Sequence, residues 1–456
     1  MIIDPRRCLV APAVLAAAIF AGPVSATTLQ DALALAYGNN PTILAERARL
    51  RATDEGVPQA LSNWRPTVTI TGDVAKERRE ADISGTENTI NRNPRGYAFT
   101  VTQNLYRGGR TMAATRRADD EVRANRGRLA GAEQSVLLAT ATAYVNVVRD
   151  REVVKLNINN EKVLLRQLEA TQDRFRVGEV TRTDVAQANS RVTGAKADRV
   201  SSQGDLVAAR AVYKNIVNEA PAELEPAKPL GGLPASEEDA ISLARKGNYA
   251  VIEADFDERA ARREIQEIVG ELLPLVSLTG NVQERFDTSG DDSDILSTSI
   301  TANVSIPLYQ SGAVASRVRE AKQTAAQLRN ERNQAVRDAV EGATRAWEAL
   351  STARAQIDSF QSQIKASTIA LEGVQQEALV GSRTVLDVLD AEQELLDARV
   401  SLVRAERDEI VATFQLREAT GQLTAGSLGL SVEYYDPERH YRSVRGRWFG
   451  TRTRTK

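Results

Sequence analysis

Histidine and cysteine are almost absent. His440 is the only histidine and Cys8 the only cysteine among 456 residues. That leaves no basis for a His/Cys zinc site, a Ser-His-Asp triad or a Cys-His pair. Neither a P-loop nor a GxGxxG fingerprint is present, and no cofactor is expected. Aromatic residues make up only 5% of the chain, a small supply for a large compact core. The net charge is -2, so there is no cationic excess to meet phosphates, and nucleic acid is not an expected partner. After the N-terminal region no segment stays apolar for the roughly 18 residues a membrane helix needs. If this chain enters a membrane it must do so with strands. What is plentiful is Ala, Val, Leu, Arg, Gln and Glu, the composition of long helices.

Residues 1–26 read as a signal peptide. Arg6 and Arg7 give a positive start, Leu9 to Phe20 an apolar run too short to span a bilayer, and Val24-Ser25-Ala26 a cleavage site before Thr27. Cys8 precedes the apolar run, so it is not a lipidation cysteine, and cleavage removes it.

The remainder is an internal repeat. Asp31-Ala32-Leu33-Ala34-Leu35-Ala36 resembles Asp239-Ala240-Ile241-Ser242-Leu243-Ala244, 208 positions later. The same offset pairs Asn40 with Asn248, Pro66 with Pro274 and Gly72 with Gly280. After a gap the offset becomes 203 and pairs Leu105-Tyr106 with Leu308-Tyr309, Tyr144 with Trp347, and Val177-Gly178 with Val380-Gly381. The domain reading is therefore a first repeat over 27–220, a Pro-rich linker over 221–236, a second repeat over 237–423, and a C-terminal segment with a basic tail over 424–456.

Each repeat opens with a helix, expected over 29–62 and 237–271. Alternation of period 2 follows: Val68, Ile70, Gly72 and Val74, then Tyr97, Phe99, Val101, Gln103 and Leu105 in the first repeat. This predicts one β-hairpin per repeat, about 67–106 and 275–308, with strands of about ten residues, enough to cross a bilayer when tilted. Polar loops are expected at 78–95 and 285–297. Residues 112–176 and 314–378 lack proline and read as helices of roughly 100 Å at 1.5 Å per residue. They reverse at the two Val-Gly turns and return over 182–217 and 385–423. Val388, Leu395 and Leu402 recur every seven residues, as do Leu389, Leu396 and Val403, a coiled-coil seam. The fold class is thus mainly α with β. Four strands cannot close a barrel, and open edges are not tolerated in lipid, so several copies are needed.

The pattern resembles the TolC family of outer-membrane channel-tunnels. The most specific match is Val380-Gly381-Ser382-Arg383-Thr384-Val385-Leu386-Asp387-Val388-Leu389-Asp390-Ala391, echoed by Val177-Gly178-Glu179-Val180-Thr181-Arg182-Thr183-Asp184-Val185. The Leu-Tyr-x-x-Gly closing each hairpin, Leu105 to Gly109 and Leu308 to Gly312, also matches. The resemblance implies a homotrimer with a twelve-stranded transmembrane β-barrel in outer-membrane lipid and a coiled-coil α-helical barrel across the periplasm. It implies an exit duct for type I secretion or multidrug efflux, not an enzyme. The partners it implies are a periplasmic adaptor and an inner-membrane transporter of ABC, RND or MFS type. Val177, Gly178, Val380 and Gly381 would be the tips that dock the adaptor. Asp387 and Asp390 would form acidic rings at the periplasmic mouth, while Arg383, Thr183 and Asp184 would link neighbouring helices and hold the mouth shut.

Thr384-x-x-Asp387 and Thr181-x-x-Asp184 also fit helix capping boxes, a structural role compatible with the gate. This chain departs from the family at Ala378, where the best-known members carry a Tyr of the closing network. Gln187 stands where the repeat would repeat Asp390, and Val180 where it would repeat Arg383. The tail carries Arg439, Arg442, Arg445, Arg447, Arg452, Arg454 and Lys456. Such a run reads first as a solvated end, with Trp448 and Phe449 marking a part that docks. The competing reading of the whole chain is a periplasmic coiled-coil adaptor, which would need a compact lipoyl-like β domain.

Overall fold

The computed structural model describes residues 27–83, 85–288 and 292–453. The expected signal peptide, Ser289 in the second hairpin loop, and Arg454 and Lys456 of the tail lie outside the described residues.

The expected first helix of each repeat is divided. Repeat one begins with α1 (Leu29–Asn39), α2 (Pro41–Asp54) and α3 (Gly56–Ser62). Then come β1 (Thr67–Val74), β2 (Glu77–Ile83), β3 (Thr86–Arg92) and β4 (Arg95–Arg107), followed by the long α4 (Arg110–Arg176) and its return α5 (Arg182–Val217). Repeat two has α6 (Glu237–Gly247), α7 (Tyr249–Val269) and a 3₁₀ turn at Gly270–Leu272. It continues through β5 (Leu275–Phe286), β6 (Asp294–Ser305), α8 (Ala313–Leu379) and α9 (Val385–Ala419). A short α10 (Pro437–Val444) lies in the tail. Among the described residues, no helix is long and apolar enough to cross a membrane.

Asn40 and Asn248 explain the first break in each repeat. Each closes one helix with its backbone N–H and opens the next with its side-chain oxygen, Asn40 accepting from Thr42 and Asn248 from Ala250. Each Nδ2 then donates to the end of the returning helix of its own repeat, Asn40 to the Ile216 carbonyl at 3.0 Å and Asn248 to the Ala419 carbonyl at 3.1 Å. Ile216 and Ala419 are themselves repeat equivalents at the 203 offset. A residue pair visible in the sequence as mere self-similarity is a duplicated clip between the ends of each repeat.

The strands form one antiparallel sheet in the order β1-β4-β5-β6. The central β4–β5 pairing joins the repeats, with Phe99 opposite Val282 and Val101 opposite Gly280. β1 and β6 are the free edges. The expected polar loop at 78–95 is instead mostly a second hairpin, β2 paired with β3. Its sequence, with Arg78, Arg79 and Glu80 in one strand and Asn91 and Arg92 in the other, has no apolar face. The period-2 signal therefore disappears although the backbone ladder is intact.

α4 and α8 each contain 67 residues. Their tight packing rests on small buried side chains such as Ala113, Ala118, Ala141, Ala339, Ala343 and Ala353. The expected seam is present: Val388, Leu389, Leu395 and Leu396 are all buried on α9. Near the middle of the long helices, α1 packs Leu33 and Tyr37 against Leu137, Phe414 and Leu423. The linker and Thr27 are fixed there too. Thr27 N donates to Glu223 O at 2.9 Å, Arg151 to Leu224 O at 2.9 Å and Arg417 to Gly231 O at 2.7 Å. Tyr144 is fully buried with its hydroxyl 2.8 Å from the carbonyls of Thr27 and Glu225, and burial pushes its pKa up to about 12.

α9 stops at Ala419 rather than 423. Gly421 takes φ +75° and donates to the Glu418 carbonyl, while Gln422 donates to Arg417, a Schellman ending. A Cβ at Gly421 would lie 1.9 Å from the Gly247 carbonyl oxygen; at Gly429, with φ +63°, it would meet nothing within 4 Å. Gly429→Ala should cost the left-handed penalty of about 1 kcal/mol. Gly421→Ala should cost clearly more, because the backbone must also separate from α6. Thermal midpoints of the detergent-extracted variants measure the difference, and equal shifts would contradict it.

Candidate functional site

The functional geometry lies at two ends of the long helices. At one end is the four-stranded sheet. At the other are two tips, where α4 turns into α5 and α8 into α9. Gly178 and Gly381 adopt φ of +82° and +79°, conformations that favour glycine. Gly178 donates to Phe175 and Glu179 to Arg174; likewise Gly381 donates to Ala378 and Ser382 to Glu377. The two turns are thus the same Schellman device. It leaves Val177 and Val380 outward, 72% and 80% exposed, with Leu379 beside them. Ala378 is buried between α8 and α9 with Leu371, Val388 and Leu395.

Asp387 and Asp184 each stand at the third position of a capping box. The Thr384 N–H and hydroxyl donate to Asp387 at 2.9 and 2.8 Å, and Asp387 N–H donates back to Thr384 Oγ1 at 3.2 Å. Thr181 and Asp184 repeat the arrangement at 2.8, 2.8 and 3.3 Å. The backbone and hydroxyl donors of Thr384 hold the Asp387 pKa below the ordinary aspartate value. Thr183 is exposed in the first turn of α5.

Asp390 is exposed and pairs with Arg191 of α5 at 2.5 Å, an ion pair between the two repeats. Arg383 reaches Glu377 across its own turn at 2.9 Å, and this contact raises the Arg383 pKa. The structure therefore brings Asp390 to the neighbouring hairpin, whereas Asp387, Arg383 and Asp184 bond within their own hairpins. Arg191 and Glu377 were missed by sequence reasoning. Arg191 lies one helical turn beyond Gln187, the repeat equivalent of Asp390, so the repeat places a cation at the matching height of α5, while its facing of α9 is set by packing.

The model of the outer membrane efflux protein family matches this chain twice, over residues 32–217 and 240–422. The chain belongs to the outer membrane efflux protein family. Both matches coincide with the structural repeats. The outer membrane efflux protein BepC of Brucella suis biovar 1 is 35% identical over 428 residues, covering 93% of this chain and 92% of that one. TolC of Escherichia coli K12 is 23% identical over 420 residues, covering 86% and 81%. Among solved structures, the CmeC outer membrane channel of Campylobacter jejuni aligns with a TM-score of 0.78 at 15% identity, over 92% of this chain and 89% of its own. Family membership makes the protein an outer-membrane exit duct for efflux or secretion, extending into the periplasm. The adaptor reading falls with it. The β structure described is the sheet joining both repeats plus the β2–β3 hairpin, not a lipoyl-like domain.

The capping carboxylate gives a pH signature. Because the folded pKa of Asp387 is depressed, its contribution to the tip is present above the ordinary aspartate range and is lost as pH falls through the lowered value. Protection against hydrogen exchange at the start of α9, taken relative to the intrinsic rate at each pH, should hold to mildly acid pH and fall below it. Asp387→Asn should show weaker protection at neutral pH and no acid step; an unchanged acid step would assign it to another group.

Proposed function

We propose that three copies of this chain close a twelve-stranded barrel, and that the duct works in a tripartite assembly with a periplasmic adaptor and an inner-membrane transporter. The observation that carries the trimer is the sheet with two free edges, β1 and β6. Lipid offers no partner for their backbone groups, so β1 of one copy pairs with β6 of the next until the ring closes. Twelve strands are an ordinary size for such a barrel. Cysteines at Ile70 of β1 and Ile300 of β6 should crosslink between copies into a ladder ending at three. A ladder ending at two, or continuing past three, would overturn this stoichiometry.

The adaptor meets the tips. Val177, Gly178, Val380 and Gly381 present exposed apolar surface on rigid Schellman turns, which suits a coiled-coil tip of a partner. The same end carries the gate: three-fold symmetry gathers six carboxylates from Asp387 and Asp390 near one axis, a cation-favouring constriction. Arg191 offsets part of that field and ties the hairpins together, while Arg383, with Thr183 and Asp184 on the first-repeat tip, stiffens the mouth.

In planar bilayers, Asp387→Ala/Asp390→Ala should still insert and trimerise but lose cation preference and block by multivalent cations. Arg191→Ala should raise cation preference, because it removes the charge that faces Asp390. Unchanged selectivity in both variants would mean that these residues serve only the packing of the tips.

On intact cells, a cysteine at Glu87, in the β2–β3 hairpin, should react with an impermeant maleimide. Cys8 lies within the expected signal peptide and does not interfere. Labelling only after the outer membrane is broken would reverse the topology.

A further inference from the structure

The tail as far as Thr453 packs against the helices rather than standing as a solvated end. After α9 the chain climbs along α4 towards the sheet. Ala425 N donates to Glu133 at 2.8 Å, Glu438 meets Arg126 at 3.2 Å, and the Tyr441 hydroxyl donates to Asp119 at 2.7 Å. Glu133 is about 35 Å along α4 from its start at Arg110, and Asp119 only about 14 Å, at 1.5 Å per residue. α10 is held on this path by His440, whose Nδ1 lies 2.9 Å from the buried carboxylate of Asp54 on α2. Beyond it Arg65 Nη1 donates to the Arg447 carbonyl at 2.6 Å, and the Arg65 guanidinium lies 4.9 Å from the Trp448 ring centre. Arg65 stands two residues before β1. Trp448 is therefore at the level where helices give way to strands.

The loop at this level is built, and it is built outward. Arg447 folds back to donate to the carbonyls of Phe449 and Arg452 at 3.1 and 2.9 Å. The rings of Trp448 and Phe449 lie 6.4 Å apart, and 58% and 86% of these residues remain exposed. From Arg439 to Thr453 there are five arginines and no Asp or Glu; Arg442 pairs with Glu438 at 2.8 Å and Arg445 with Asp119 at 3.1 Å, which leaves Arg439, Arg447 and Arg452 without an ion pair among the described residues. Trp64, also exposed, lies at the same junction.

We propose that this loop is a peripheral membrane anchor: Trp448 and Phe449 enter the periplasm-facing leaflet beside the barrel, and the surrounding arginines bind its anionic phospholipid headgroups. The inference rests on the barrel crossing the outer membrane, which makes the helix-to-strand junction the inner interface. Aromatic rings flanked by arginine are the side chains that prefer headgroup depth, where an apolar body and a cation are both accommodated. Continuity with the membrane-crossing sheet and the cations left without an ion pair, Arg439, Arg447 and Arg452, favour lipid over a protein partner.

The test uses the full chain reconstituted in phosphatidylethanolamine–phosphatidylglycerol vesicles with brominated acyl chains, which quench tryptophan on contact. The Trp448 contribution is the difference between the native protein and Trp448→Phe. It should be quenched at least two-fold in these vesicles, and clearly less when phosphatidylglycerol is replaced by phosphatidylcholine. Flotation with the vesicles reports barrel insertion separately, and both proteins should float. Floating protein with an unquenched Trp448 would overturn the anchor and leave the barrel intact. Protein that does not float would overturn the barrel reading and the anchor with it. Equal quenching in both lipid mixtures would remove the headgroup part. Retention on purified peptidoglycan that is lost in Trp448→Ala/Phe449→Ala, with Trp448 unquenched in vesicles, would assign the loop to the cell wall instead.

Discussion

A strand edge in lipid has nowhere to place its backbone hydrogen bonds, and the architecture follows from that constraint. One chain supplies four strands and two free edges. The sheet satisfies its interior by pairing β4 with β5, the seam between the two repeats. Its outer edges are left for other copies, and the proposed ring of three is the answer to that need. In the proposed ring, the helices that continue the strands would lie around the same axis, with the tips at their far ends.

The duplication lets one set of solutions serve twice. Asn40 and Asn248 break and restart helices at equivalent places and clip them to Ile216 and Ala419. Gly178 and Gly381 end the long helices by the same turn, and Thr181 and Thr384 restart the chain with the same capping box. The repeats differ where they serve different ends. The first has an added β2–β3 hairpin, and Arg191 of the first faces Asp390 of the second. A symmetric pair of carboxylates there would repel; a cation on one side ties the hairpins and would moderate the charge of the proposed mouth.

The C-terminal segment shows how little a basic composition says about placement. Seven cations in the tail read as a solvated end. The course of the described tail, to Thr453, depends on contacts remote in sequence: Asp119 and Arg126 on α4, Asp54 on α2 and Arg65 at the foot of β1. These carry Trp448 and Phe449 to the junction between helix and strand, where their exposure acquires a chemical meaning.

The repeat, the strand pattern, the lengths of the long helices and the Val-Gly turns were legible because each is written in local periodicity or in spacing between like residues. Capping at Asp184 and Asp387 was legible too, since a Thr three residues before an acid specifies its partner within one turn. The β2–β3 hairpin was not, because strands polar on both faces carry no period. The division of the opening helices is written locally, in Asn40-Pro41 and in Asn248, each capping the helix that follows; the clips from these residues to the Ile216 and Ala419 carbonyls, 176 and 171 positions away, were not legible. The partner of Asp390 and the course of the tail were decided only when packing brought distant segments together. Ion pairs and docking contacts of that kind depend on distance in space, which local sequence spacing does not encode.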